Sequence, residues 1–121
     1  MVRSDDDSIP KNSAVVRWLN LWDEGAGRGF RMTGEELGDT MKRVGFVDVV
    51  VKKMKLPIGV WDKTQMNAGM LSLTALTEHM EGISTKVFME KLGMTEEQMR
   101  GYTEPAVREW RSRNFHSYWD L

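Results

Sequence analysis

Residues 32–61 read MTGEELGDTMKRVGFVDVVVKKMKLPIGVW, and this stretch decides the fold. Thr33 and Glu36 have capping-box spacing: the hydroxyl accepts from a backbone N–H three residues on, and the carboxylate returns to the cap's own N–H. Met32 and Leu37 flank that start as a hydrophobic staple. Leu37, Met41 and Val44 recur at helical spacing and predict a buried stripe. Gly45 is a good helix stop, because a left-handed residue there carries no Cβ penalty. Residues 46–54 are β-branched and predict a strand. Its Val49-Val50-Val51 run is apolar on both faces, which suits burial on both sides. Pro57 and Gly59 are expected to end that strand just before Trp61.

Working outward, residues 1–12 read as an extended or irregular arm. Asn12 or Ser13 caps a helix to about Glu24, whose stripe is Val15, Trp18, Leu19 and Trp22. The run Glu24-Gly25-Ala26-Gly27-Arg28-Gly29 breaks it. On the C-terminal side, residues 64–113 read as helix. Gln65 to Glu81 places Met66, Met70, Leu73 and Met80 near one face. Ser84 or Thr85 begins a short helix that Gly93 ends. Thr95 and Gln98 form a second capping box, with Met94 and Met99 as staple. Pro105 restarts or kinks the last helix, which runs to about Arg113. The tail Phe115-His116-Ser117-Tyr118-Trp119 alternates aromatic and polar residues and predicts a short final strand.

A chain of 121 residues with a net charge of −1 supports one domain, 1–121, with a modest core. Its parts are an arm (1–12), a helix-helix-strand unit (13–61), a helical insertion (62–114) and a terminal strand (115–121). Acidic and basic residues are interspersed, so no nucleic-acid or anionic-membrane surface is expected. The absence of Cys excludes disulfides and Cys-based zinc sites. Two His without Cys give no basis for a metal site. No apolar run reaches the roughly 18 residues of a membrane span. The polar start carries no signal-peptide core, so a cytoplasmic location is expected. Ten Met and five Trp are a high content for this size, and core filling accounts for most of them.

The order helix, Gly45-Phe46-Val47-Asp48-Val49, Lys55-Leu56-Pro57-Ile58-Gly59-Val60-Trp61, helical insertion and His116-Ser117-Tyr118-Trp119 resembles a known family. It is similar to the C-terminal part of class I S-adenosylmethionine methyltransferases of the LaeA-like type, from fungal secondary metabolism. The stretch Ser4-Asp5-Asp6-Asp7-Ser8-Ile9-Pro10, then Ser13 to Trp22, resembles the acidic linker and helix after the fifth strand of such enzymes. The resemblance covers nearly the whole chain. Each motif is weak alone, and their order carries the specificity. Strands one to four and nearly all of the fifth of that fold, its glycine-rich loop and its ribose-gripping acidic residue are not expected here. The final strand also stops at Leu121, where family members usually continue. The resemblance thus implies an α+β, mostly helical remnant with a short two-stranded sheet and no cofactor-binding half. Glu24 to Gly29 looks like a cofactor loop. Such a loop needs a buried strand before it, and an amphipathic helix precedes this one, so a helix-ending turn is the better reading.

Five polar residues are candidates for chemistry: His79, His116, Tyr118, Asp62 and Lys63. His79 neighbours Glu78 and Glu81, and a His beside a carboxylate can act as acid or base near neutral pH. Read structurally, it is an ordinary helix histidine. His116 matches the family's final-strand His. Trp61, Met66, Met70, Met80 and Trp119 are candidates for an apolar substrate wall, although the same residues can be the core of a small domain. Two functions follow. One is a repurposed, cofactor-independent cyclase, isomerase or pericyclase acting on an apolar intermediate, which requires a closed apolar pocket with a polar group inside. The other is a binding protein, pairing with itself as a homodimer or docking on a methyltransferase, which requires uncovered strand edges and apolar faces. Methyl transfer by a longer parent enzyme is the third reading. No cofactor is expected for this chain alone.

Overall fold

The computed structural model describes residues 2–27, 32–112 and 115–121. Ser13 accepts from the Val16 N–H at 3.1 Å and caps α1, Ala14–Ala26. Val15 and Trp18 are buried and Leu19 and Trp22 half-buried, so the predicted stripe faces the core. The helix ends at Gly27, with φ at 76°. Gly25 and Ala26 remain helical, and Arg28 and Gly29 of the glycine-rich run lie outside the described residues.

The capping box of Thr33 and Glu36 opens α2, Gly34–Arg43. Gly45, with φ at 106°, ends it: the Gly45 N–H donates to Lys42 O and the Phe46 N–H to Met41 O, a Schellman closure. The expected stripe of α2 is not buried, for Leu37 is 51% and Val44 68% exposed. The buried residue of α2 is Gly38, where Val51 packs so closely that an added Cβ would meet it at 2.6 Å.

The strand expected at 46–54 is displaced along the chain. Asp48 takes a left-handed φ of 56°, which interrupts an extended run, and Val47 and Val50 are 84% and 75% exposed. Pairing begins at Met54, which exchanges two 3.0 Å backbone bonds with Leu121, and continues in β2, Lys55–Ile58. A strand forms where a ladder partner exists, and β-branched content alone does not supply one. Pro57 lies inside β2, which is tolerated because β2 is an edge strand.

The sheet has three strands where two were expected. Its centre is β3, Ser117–Asp120, flanked by β2 and by β1, Val2–Ser4. Both pairings are antiparallel, with Tyr118 opposite Arg3 on one side and Pro57 on the other. The arm is therefore ordered into the sheet, since β3 has two ladder edges and Val2–Ser4 satisfies the second.

Helix α3, Met66–Ser84, runs without a break into a π-helical segment, Thr85–Lys91. The short helix expected to start at Ser84 or Thr85 is this π-helical segment, which continues α3; the Thr85 hydroxyl donates back to Glu81 O at 2.9 Å. The element closes at Gly93, as expected, with φ at 71°. Helix α4, Glu96–Arg111, opens with the Thr95/Gln98 capping box and continues through Pro105. Arg113 lies outside the described residues.

The core is Trp18 with Phe88 and Trp110, at ring separations of 5.9 and 6.1 Å, closed by Met80, Met99, Leu73 and Val15. Trp18 Nε1 donates to Ser84 Oγ at 2.8 Å, so the buried indole keeps its hydrogen bond. The Val15 N–H donates to Glu109 Oε2 at 3.0 Å and ties the start of α1 to α4. The sheet covers one end of α3, where Gly59 N–H donates to Gly69 O at 2.9 Å.

Candidate functional site

The first turn after β1 brings two acidic side chains, Asp5 and Asp6, against the C-terminal segment. Asp6 accepts from Ser4 Oγ at 2.8 Å and from the Ser8 N–H at 3.0 Å, which folds the segment into a tight polar turn. Ser8 Oγ then accepts from the His116 N–H at 2.8 Å, and Asp6 Oδ2 lies 2.6 Å from His116 Nδ1. The carboxylate acceptor places the proton on Nδ1 and leaves Nε2 as the basic nitrogen of the neutral ring. Trp61 stacks on that ring at 5.3 Å, and its own Nε1 donates to Ser117 O at 2.9 Å.

Beside this pair, Tyr118 OH donates to Asp5 Oδ1 at 2.6 Å and Lys55 Nζ reaches Asp5 Oδ2 at 2.5 Å. Lys55 Nζ also sits 4.5 Å from the centre of the Tyr118 ring. The electrostatics follow from these bonds. Hydrogen bonds from Ser8 and Ser4, then His116, hold the Asp6 carboxyl far below its ordinary value. Lys55 and then Tyr118 lower that of Asp5. The same Asp5 carboxylate raises Lys55 and Tyr118 above their ordinary values.

Of the ten residues singled out in the sequence, His116, Tyr118 and Trp61 are thus brought together. Asp62 follows Trp61, but its carboxylate accepts from Thr64 N, Thr64 Oγ1 and Gln65 Nε2 at 2.7–3.2 Å. These bonds, led by Thr64, lower its pKa and shape the turn into α3. Lys63 is exposed in that turn. His79 is elsewhere, on the exposed side of α3, with Nδ1 2.8 Å from Ala75 O. A carbonyl only accepts, so this Nδ1 also carries the proton.

Met80 is fully buried in the core, while Met66 and Met70 are exposed. The three do not form one wall, because the continuous helix turns Met80 inward and leaves the other two on its outer side. Trp119 points to the opposite face of the sheet from Tyr118, where its Nε1 donates to Ser72 Oγ at 3.1 Å. Asp5, Asp6 and Lys55 were not singled out from the sequence. The acidic run Asp5-Asp6-Asp7 was visible, but nothing local indicates that it meets the last strand.

Two open apolar grooves lie on the helical side. One, of about 470 Å³, is lined by Val2, Trp18, Leu19, Leu76, Ile83 and Trp119, next to the outer edge of β1. The other, of about 610 Å³, includes Trp22, His79, Ile83 and Val87. Neither is closed. Among the described residues no group of three or more side chains can hold a metal ion. The described part of Glu24 to Gly29 does not fit S-adenosylmethionine either. It is helical through Ala26, and a Cβ on Gly25 would meet Val87 at 2.5 Å, so helix packing already occupies that approach. No helix among the described residues is long and apolar enough to cross a membrane.

No protein-family model matches the chain, and neither does any solved structure. Curated proteins do. The secondary metabolism regulator laeA of Fusarium oxysporum f. sp. lycopersici is 31% identical over 124 residues, covering 98% of this chain and 39% of that protein. The secondary metabolism regulator LAE1 of Gibberella fujikuroi has the same identity and coverage. Methyltransferase pytC of Aspergillus terreus is 26% identical over 131 residues, with 98% of this chain and 38% of its own length covered. This chain is homologous to part of the fungal LaeA-like methyltransferases. It spans about two fifths of the length of these relatives, 39% for the Fusarium protein.

Proposed function

We propose that this LaeA-like chain is an assembly module of a methyltransferase-type protein in fungal secondary metabolism. It contributes an acceptor-side wall and joins a cofactor-binding partner through the outer edge of β1. The observation that carries this reading is the coincidence of an edge strand with an apolar groove. Val2 lies in both, and an added strand would satisfy the outer backbone groups of β1 while its side chains cover Leu19, Ile83 and Trp119. Two open grooves and the exposed apolar residues Phe46, Val47 and Val50 favour docking over catalysis by the isolated chain. In the assembly, Trp61 offers an aromatic face to an apolar acceptor. His116, oriented by Asp6, offers Nε2 as a base toward an acceptor hydroxyl.

The test mixes the chain with a full-length LaeA-like methyltransferase and follows amide exchange at Val2–Ser4 with calorimetry of S-adenosylmethionine. The expected result is protection of these amides in the mixture and no cofactor binding by the chain alone. Micromolar cofactor binding by the chain alone, or unchanged exchange in the mixture, overturns the reading. A second copy of the chain is the rival occupant of the edge, and a concentration-dependent dimer mass would identify it.

One observation favours a second reading, a cofactor-independent cyclase or isomerase acting on an apolar intermediate. His79 borders the larger groove, so an acid/base group and an apolar surface occur together. Turnover of a polyketide or terpenoid intermediate by the isolated chain, lost in His79→Ala and kept in His116→Ala, would establish it.

A further inference from the structure

The larger groove has a charge pattern that the assembly reading does not use. Its floor is apolar, made by Trp22, Ile83 and Val87. Two cations, Lys86 and Lys91, line it, and neither has an ion-pair partner among the described residues. Among the described lining residues the one carboxylate, Glu78, is paired with Arg111 Nη2 at 2.7 Å. The local balance is therefore positive on a chain whose overall charge is −1.

The backbone explains how two lysines reach one groove. Both belong to the π-helical segment, whose i→i+5 bonding is seen where the Leu92 N–H donates to Val87 O at 3.2 Å. In an α-helix, residues five apart project about 140° from each other at 3.6 residues per turn. In a π-helix the wider turn brings residues five apart back to one side, and Lys86 and Lys91 both line the groove. Such segments are rare and concentrate at functional sites. Close packing of α1 on this segment at Gly25 and Val87 fixes the groove's back wall. His79 adds a third polar group, with Nδ1–H already used on Ala75 O and Nε2 left as an acceptor.

We propose that this groove binds an apolar monocarboxylic acid. Its hydrocarbon part lies on Trp22, Ile83 and Val87, and its carboxylate is taken by Lys86 and Lys91. A volume of about 610 Å³ falls within the usual size range of small-molecule sites. The site shares only Trp22 and Ile83 with the groove beside β1, and the inference stands independently of the assembly reading.

The test is calorimetric titration with decanoate and with decan-1-ol, which differ in the carboxylate alone. The wild-type chain is expected to bind decanoate about fivefold more tightly than the alcohol, the scale of two exposed ion pairs. The double variant Lys86→Ala/Lys91→Ala should erase that difference. Gly82→Phe should abolish binding of both. Gly82 lines the groove and an added Cβ there meets nothing within 4 Å, so the ring fills the groove without disturbing the core. Equal binding of acid and alcohol to the wild type overturns the proposal. So does absence of decanoate binding, or unchanged binding in a Gly82→Phe variant that keeps the native circular dichroism.

Discussion

Asp6 and His116 are 110 positions apart and meet at 2.6 Å, so the first turn of the chain is fastened to its last strand. The backbone repeats the link, for the His116 N–H donates to Ser8 Oγ at 2.8 Å. Trp61 stacks on the same imidazole, which brings the turn after β2 into the contact. The seam is exposed, and its strength depends on the charge of Asp6.

Acid should open this seam. The folded state holds Asp6 below its ordinary value of 3.8, mainly through Ser8 and Ser4. A depressed carboxyl contributes stability that is present above the unfolded value and lost as pH falls through the folded one. Protection of the arm amides from exchange should therefore fall as the medium is acidified below about pH 4. Asp6→Asn should show the opened arm at neutral pH and lose this acid transition. An unchanged acid profile in Asp6→Asn counts against the seam.

Tyr118 should ionise above the ordinary range of a tyrosine. Its hydroxyl donates to the Asp5 carboxylate, and that bond raises it above the ordinary 10.0. A phenol raised in this way adds stability that is complete below the unfolded value and lost as pH rises through the folded one. Ultraviolet titration of tyrosinate should show a step above 10.0 that is absent in Tyr118→Phe and moved down in Asp5→Asn. A wild-type titration without that step would contradict the Asp5 contact.

Phe88 and Met66 separate core from surface. Phe88 is fully buried against Trp18, and Phe88→Ala should cost about 3–5 kcal/mol. Met66 is exposed, so Met66→Ala should stay within about 0.5 kcal/mol. Urea unfolding midpoints provide the comparison. A large loss in Met66→Ala would mean that Met66 is covered in solution.

Gly69→Ala should be among the most damaging small changes. A Cβ there would lie 1.9 Å from Gly59 O, and backbone is what it meets. The crossing of β2 and α3 would have to separate, at a cost of about 1–3 kcal/mol or more. Gly101→Ala is the control, since a Cβ there meets nothing within 4 Å. Thermal unfolding of the two variants should differ strongly, and similar melting points would rule out the close crossing.

The local signals were legible wherever the chemistry is local. Both capping boxes, the Ser13 cap, the stops at Gly45 and Gly93 and the terminal strand formed where the residues placed them. The site was half legible. His116, Tyr118 and Trp61 were singled out from the resemblance, while Asp5, Asp6 and Lys55 join them only through strand pairing. The stripe of α2 and the strand at 46–54 were misread for one reason: apolar and β-branched content states a preference for burial without naming the element that provides it.

The sequence by itself determined where helices start and stop, because capping groups lie within a few residues of the N–H groups they satisfy. It also determined the kinship with LaeA-like methyltransferases, which rests on ordered motifs. Tertiary structure alone decided that Val2–Ser4 completes a three-stranded sheet and that Asp6 meets His116. It also decided that a π-helical segment puts Lys86 and Lys91 on one groove. These outcomes depend on which distant backbone edges and side chains compete for the same partner, and that competition is settled only when the whole chain packs.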